Sequence, residues 1–295
     1  MSLFHRLGAC CLLAAAALPA RAADIRDASF TTSDGVRIHS LEAGTPGAAP
    51  ALVLIPGWTL SASLWRGQLE AFSADRLVIA VDSRSQGGSD KTVLDNTPER
   101  RATDLHELLA ARHLERIVLV GWSQGAQDVA AYIRQYGTAA LAGVAFVDSP
   151  VAAGPEEVTL NPGFVKTILK GFAVYIAHPA EYSEGMVRSI FVRPHPELDV
   201  QKIVDIARST PPQTGMAMLV ADLFSVDRRN ALARINRPAL VIASAQSPFL
   251  EQQKAMAAAV RGARLVVVPD AGHAVFVDQP RVFDQALREF LKAAT

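Results

Sequence analysis

The stretch Ile117-Val118-Leu119-Val120-Gly121-Trp122-Ser123-Gln124-Gly125-Ala126 decides the fold class of this chain. Ile117 to Val120 is a short apolar, largely β-branched run of the kind that forms a buried strand, and Ala126 to Tyr136 has helical character. Between them a serine sits between two glycines in the pattern G-x-S-x-G, the signature of a nucleophile elbow. The strand-to-helix turn is tight, so the flanking residues must lack a β-carbon where strand and helix crowd. The Ser123 hydroxyl is thereby raised at the N-terminus of the next helix, where free backbone N–H groups can hold a negative charge. The five-residue pattern alone is short enough to recur by chance. The strand before it and the helix after it make it informative.

Outward from this turn, strand-like and helix-like segments alternate. Ala28 to Thr32 and Val36 to Glu42 flank Asp34-Gly35, a hairpin signal. Ala51 to Ile55 and Arg76 to Val81 read as strands, with a helix at Ser61 to Phe72 between them and Ser61 as its cap. Thr97 opens a helix to about Arg112, with Pro98 at its first position. A strand follows at Val144 to Val147. After Asp148 the rhythm breaks into helical pieces and prolines until about Asn236. It then resumes with a strand at Ala239 to Ala243, a helix at Leu250 to Val260, a strand at Arg264 to Val268 and a helix at Pro280 to Ala293. Such alternation predicts an α/β fold, a mostly parallel open sheet with helices on both faces. The irregular insert is expected to form a helical cap after the sixth strand, over the carboxyl ends of the strands, where open α/β sheets bind ligands. The expected division is a core at 23–153 and 237–295 and a cap at 154–236.

Composition narrows the class. Half of the 295 residues are hydrophobic and 20% are charged, which suits a large packed core. Lys+Arg and Asp+Glu are equal at 29 each, with no basic stripe for a nucleic acid and no charged tail. Residues 1–22 read as a secretory signal. His5 and Arg6 precede the apolar run Leu7 to Leu18, which is too short to span a bilayer, and Ala20-Arg21-Ala22 is a small-x-small cleavage site. The competing reading is a retained anchor. Leu7-Gly8-Ala9-Cys10 faintly resembles a lipoprotein box, but too few apolar residues precede Cys10. A mature chain from Ala23 loses Arg6 and Arg21, leaving 27 basic against 29 acidic residues. Both cysteines, Cys10 and Cys11, fall within the signal, so the mature chain is expected to lack disulfides, thiolate catalysis and Cys-based metal sites. The expected location is periplasmic or secreted, without stable membrane insertion.

Four features fall at predicted strand ends. Ser123 is one. His273, in Asp270-Ala271-Gly272-His273-Ala274, follows the last strand; an imidazole within reach of a serine hydroxyl can take its proton and return it to a leaving group. Pro56-Gly57-Trp58 follows the Ala51 strand, and its Gly57 allows a sharp turn that exposes the Trp58 N–H. Paired with the Gln124 N–H, this makes an oxyanion hole, each donor contributing ~3 kcal/mol to a transition state. The fourth, Asp82 to Ser89, is Gly-rich and polar. It suits a loop that shapes the site without doing chemistry. In the insert, Phe164, Phe172, Tyr175, Tyr182, Phe191, Met186, Met216 and Met218 either line an apolar pocket or pack the cap. His178 and His195 show no metal spacing and are taken as surface residues.

With these motifs in this order, the chain resembles the α/β-hydrolase fold family, and within it the serine esterase, haloperoxidase-like and epoxide-hydrolase-like branch. The resemblance runs from about Asp34 to Leu291. It rests on Pro56-Gly57-Trp58 with Ser63 and Trp65, Asp82-x-Arg84-x-x-Gly87-x-Ser89, the Ser123 turn, and Ala271-Gly272-His273 followed by Pro280. It implies Ser123 as nucleophile, His273 as base, oxyanion donors at Trp58 and Gln124, and neither cofactor nor metal. The serine separates the chain from relatives that use an aspartate there, the haloalkane dehalogenases and epoxide hydrolases. Three departures stand out. Pro56-Gly57 replaces the family's His-Gly, and Arg84-Ser85 replaces its Arg-Gly. The loop Ser244-Ala245-Gln246-Ser247-Pro248 lacks the acid that usually completes the triad, with Ser247 at its place.

Some family members carry the acid one strand earlier, where Asp148 stands. Asp148 is therefore the favoured acid, with Glu251 or no carboxylate as alternatives. The expectation is an exported serine hydrolase that cleaves a small or medium carboxylic ester through an acyl-enzyme. The same triad also suits a lactone, an amide, a carbon–carbon bond or perhydrolysis. The missing acid at Ser247 leaves open a binding protein without catalysis. A small-molecule substrate is the expected partner, and the oligomeric state is not read from the sequence.

Overall fold

The structure, a computed structural model, describes residues 23–294; the expected signal at 1–22, with Cys10 and Cys11, lies outside the described residues. The chain opens with strands β1 (Arg26–Thr31) and β2 (Arg37–Ala43), paired antiparallel across Asp34-Gly35. β3 (Ala51–Ile55) leads through a 3-10 turn at Ala62–Trp65 into helix α1 (Arg66–Phe72). Ser61 caps that turn by accepting a hydrogen bond from the Ser63 N–H. Then come β4 (Val78–Val81), α2 (Pro98–Ala111), β5 (Ile117–Trp122), α3 (Gln124–Tyr136) and β6 (Leu141–Val147). Thr97 caps α2 at the Arg100 N–H, with Pro98 behind it.

Between β6 and the next strand the described elements are all helical. They are a 3-10 turn at Gly154–Glu156, α4 (Glu157–Leu160), α5 (Pro162–Ala177), α6 (Pro179–Ser189), α7 (Val200–Arg208) and α8 (Pro212–Val220), a π-turn at Ala221–Ser225 and a 3-10 segment at Arg229–Arg234. β7 (Ala239–Ser244), α9 (Leu250–Ala259), β8 (Arg264–Val268), α10 (Val275–Asp278) and α11 (Pro280–Ala293) complete the chain.

The eight strands form one sheet in the order β1-β2-β4-β3-β5-β6-β7-β8, antiparallel at β1-β2 and β2-β4 and parallel elsewhere. Period-two alternation divides the side chains between two cores. Leu52 and Leu54 of β3 pack with Leu69 and Phe72 of α1 and Phe283 and Leu287 of α11. Val53 and Ile55 pack on the other face with Leu105 of α2, Val129 of α3 and Met256 of α9. β6 starts earlier than Val144, the position expected from the sequence. Its small residues Ala142 and Gly143 carry little strand signal, yet Gly143 is where Phe290 of α11 presses on the sheet. A β-carbon there would lie 2.8 Å from the Phe290 ring.

Candidate active site

The turn after β5 is strained and built around its glycines. Ser123 has φ 56° and ψ −117°, a conformation that costs a side-chain-bearing residue about 1–3 kcal/mol. A β-carbon on Gly121 would stand 2.2 Å from the Gly125 carbonyl oxygen, and one on Gly125 would stand 2.8 Å from that of Ile55. Only glycine fits either place. Trp122 is fully buried, and its indole N–H donates to the His273 carbonyl oxygen at 2.9 Å. The residue beside the serine thus anchors the loop that carries the histidine.

Ser123, His273, Asp148 and Trp58 open on one cavity of about 470 Å³ at the carboxyl ends of the strands. The Asp148 Oδ2 lies 2.7 Å from the His273 Nδ1. A carboxylate only accepts, so Nδ1 carries the proton and Nε2 is left as the basic nitrogen. Asp148 sits at the end of β6 with φ 45° and is buried. Its Oδ1 accepts from the Ser244 N–H at 2.9 Å and from the Gln253 amide at 3.3 Å. Gln253 also donates to the Ser247 hydroxyl at 3.0 Å. The loop that lacks a carboxylate therefore still contributes, by holding the Asp148 side chain. Ser244 further binds the Ala271 carbonyl through its hydroxyl at 2.6 Å. Glu251 points away: its side chain is 81% exposed and paired with Lys254. The site reading of the sequence passed over Gln253. Its only signal there is a polar residue one turn into a predicted helix.

On the opposite wall a β-carbon at Gly57 would come within 3.2 Å of the Ser123 Cβ, so the backbone before Trp58 passes against the serine. The Trp58 indole N–H donates to the Gly215 carbonyl at 2.7 Å, and its ring meets Tyr175 edge-on at 5.1 Å, which fixes it to the cap. Gln124 begins α3, where the first N–H groups have no partner within the helix. Its side-chain amide donates to the Asp222 Oδ2 at 2.6 Å. Asp222 lies in the π-turn of the cap, and its other oxygen pairs at 2.5 Å with Arg101, which also holds Asp128 at 2.8 Å. All four are buried. Burial pushes the Asp128 carboxyl up to about 6, against the pull of Arg101, and raises Asp222 as well.

Two sequence expectations need correction. The loop Asp82 to Ser89 does not line the cavity. Asp82 turns inward and brackets three elements, meeting the His39 ring at 2.8 Å and accepting from the Ala62 and Gly88 N–H groups at 2.6 Å. His195 is not a surface residue; it is 7% exposed, with ring nitrogens 2.7 Å from Asp278 and 2.6 Å from Glu197. His178 is exposed, as expected. The aromatic and Met residues of the cap divide: Tyr182, Met186 and Phe191 line the cavity, whereas Phe172, Tyr175 and Met218 are buried packing. Among the described residues no group of three or more His, Cys, Asp or Glu is placed to hold a metal ion.

Residues 52–286 match the Alpha/beta hydrolase family, and the chain belongs to it. It is similar to the 3-oxoadipate enol-lactonase 1 of Acinetobacter baylyi, with 26% identity over 275 residues, 92% of this chain and 98% of that enzyme. Among solved structures, a thermophilic esterase from Thermogutta terrifontis superposes with a TM-score of 0.74 at 29% identity, over 91% of this chain and 99% of the esterase. A bromoperoxidase from Bacillus anthracis superposes with a TM-score of 0.79 at 25% identity, over 90% of this chain and all of that one.

Proposed function

We propose that this chain is an exported serine hydrolase acting on a small or medium carboxylic ester. The observation that carries the reading is the buried Asp148 carboxylate 2.7 Å from the His273 Nδ1, facing the cavity onto which the strained Ser123 opens. In this mechanism the Ser123 Oγ attacks the ester carbonyl carbon while the His273 Nε2 takes its proton. Asp148 holds the ring in the tautomer that leaves Nε2 free and stabilises the imidazolium. The backbone N–H groups of Trp58 and Gln124 hold the oxyanion, the first at the close approach of Gly57 and the second at the N-terminus of α3. Collapse of the tetrahedral intermediate breaks the bond to the alcohol oxygen, which leaves with the proton from His273. Water, deprotonated by the same nitrogen, then attacks the acyl-enzyme and releases the acid. No step calls for a cofactor or a metal.

The similarity to an enol-lactonase over 92% of the chain favours a second substrate form, a lactone. It is the cyclic version of the same bond and opens by the same steps, with the alcohol retained on the product.

The test is covalent labelling with a fluorophosphonate probe, read by mass spectrometry. One adduct on Ser123 is expected, absent in Ser123→Ala. A wild-type protein that takes no label on Ser123, yet is folded, would falsify the nucleophile and favour a binding protein.

A further inference from the structure

A second cavity of about 370 Å³ lies behind the first, between α3, α4, α5 and α9. The two share a single residue, Phe249, and are adjacent along three stretches of chain. Asp148 faces one and Ser149 the other; Ile168 of α5 faces one and Phe164, a turn earlier, the other; Pro248 faces one and Gln252 the other. Phe249, common to both linings, has its ring edge-on against Phe164 at a centroid separation of 4.8 Å and 87°. Phe249 immediately precedes α9 in a loop conformation, φ −109° and ψ 19°, and its side chain makes no cap bond.

The chemistry of the walls fixes what this chamber can take. Apart from the Gln252 amide, its polar side chains are largely spent on partners within the protein. The Glu157 carboxylate accepts from the Ala153 N–H and the Asn161 amide, both at 2.7 Å. Gln127 donates to the Pro150 carbonyl and accepts from the Ala152 N–H. Arg229 is paired with Asp227 and Glu156. The greater part of the wall is hydrocarbon, from Val151, Leu160, Leu223, Leu232 and Met256 among others. A charged ligand would find no unspent counter-charge, whereas an alkyl chain loses only water.

We propose that this chamber is a second binding site, for the distal hydrocarbon chain of an ester whose carbonyl sits at Ser123, and that Phe249 is the gate between the two spaces. The proposal rests on the hydrolase reading above and extends it to long-chain substrates. Rotation of Phe249 off Phe164 joins the cavities into one of about the size that holds an extended ligand. With Phe249 across the opening, the space beside Ser123 accommodates the shorter esters.

The experiment compares p-nitrophenyl butanoate with p-nitrophenyl dodecanoate in the full chain and in Ala255→Trp and Ala259→Trp, which fill the chamber from α9. Both variants are expected to lower the dodecanoate-to-butanoate ratio of kcat/KM by about tenfold or more, since several methylenes lose their burial. Phe249→Ala is expected to raise that ratio. A ratio that none of the three variants moves overturns the chamber. Absence of Ser123-dependent hydrolysis of either ester overturns the hydrolase reading instead. A binding arm keeps the two failures apart: calorimetry of 1-decanol and 1-butanol on Ser123→Ala, with and without Ala255→Trp. Preferential decanol binding that the added Trp abolishes supports the chamber whatever the chemistry at Ser123. Decanol binding indifferent to the Trp overturns it.

Discussion

At the scale of single residues, the assignment of Asp148 has a sharp consequence in the tautomer of His273. In Asp148→Asn the side-chain oxygen still accepts from the Ser244 N–H, so the fold is retained. The amide nitrogen then faces the His273 Nδ1 as a donor and forces the proton onto Nε2, the nitrogen that must accept from Ser123. The expected loss in kcat is about 10³–10⁴-fold with an unchanged unfolding midpoint. Glu251→Gln, by contrast, alters an exposed pair with Lys254 and is expected to change kcat by less than about twofold. Steady-state kinetics on the two variants checks both. The reverse ranking would move the acid to Glu251. The sequence offers Asp148, Glu251 and no acid as candidates because the usual place, Ser247, is empty of charge. Burial and a 2.7 Å contact with His273 are what support Asp148 in the proposed mechanism.

At the scale of elements, the cap is fastened to the histidine loop by a second His–Asp contact. Asp278, at the end of α10 and fully buried, accepts from the Gly272 and Val192 N–H groups with one oxygen and meets the His195 Nε2 with the other. Arg193 binds the carbonyl of the same residue. Burial alone would lower the His195 pKa, but its contacts with Asp278 and Glu197 outweigh that and hold it above the ordinary 6.5. The charged groups around it are Asp278 from α10 and Glu197 and Arg193 from its own segment. A folded pKa above the unfolded one means that the fold binds the proton more tightly. The stabilisation is complete below about pH 6.5 and is lost as the pH rises through the higher, folded value. Urea unfolding of His195→Asn is therefore expected to show a loss of about 1–3 kcal/mol at about pH 6 that shrinks toward pH 9. A gap equal at both ends would remove the charge from the latch.

At the scale of the whole molecule, one sheet gathers the site. The turn after β3 brings Gly57 and Trp58, β5 leads to Ser123, β6 ends at Asp148, β7 supplies Ser244 and the loop after β8 carries His273. Parallel pairing from β4 to β8 places all these carboxyl ends on one edge, beneath the helices that follow β6. The proposed export is a property of this scale too. Two cores on either side of the sheet hold a fold in which no cysteine falls after Cys11. Mass spectrometry of the protein recovered from the cell envelope or medium is expected to give Ala23 as the first residue. Recovery solely from the cytoplasm with residues 1–22 attached would end the export proposal.

The sequence by itself determined most of the elements and the order in which they present the candidate site residues. Short apolar strand runs, capped helices and two glycines around Ser123 are local patterns, written in neighbouring residues, and they specify the sheet, the turn and the order of Ser123, Asp148 and His273. The start of β6 was hidden because Gly143 answers to Phe290, a residue far along the chain. The inward turn of Asp82, the burial of His195, the hold of Gln253 on Asp148 and the chain from Gln124 through Asp222 to Arg101 were decided only by tertiary structure. Each is a polar group that must find its partner once packing has removed water. Which partner it finds depends on distances that folding sets between segments up to 121 residues apart.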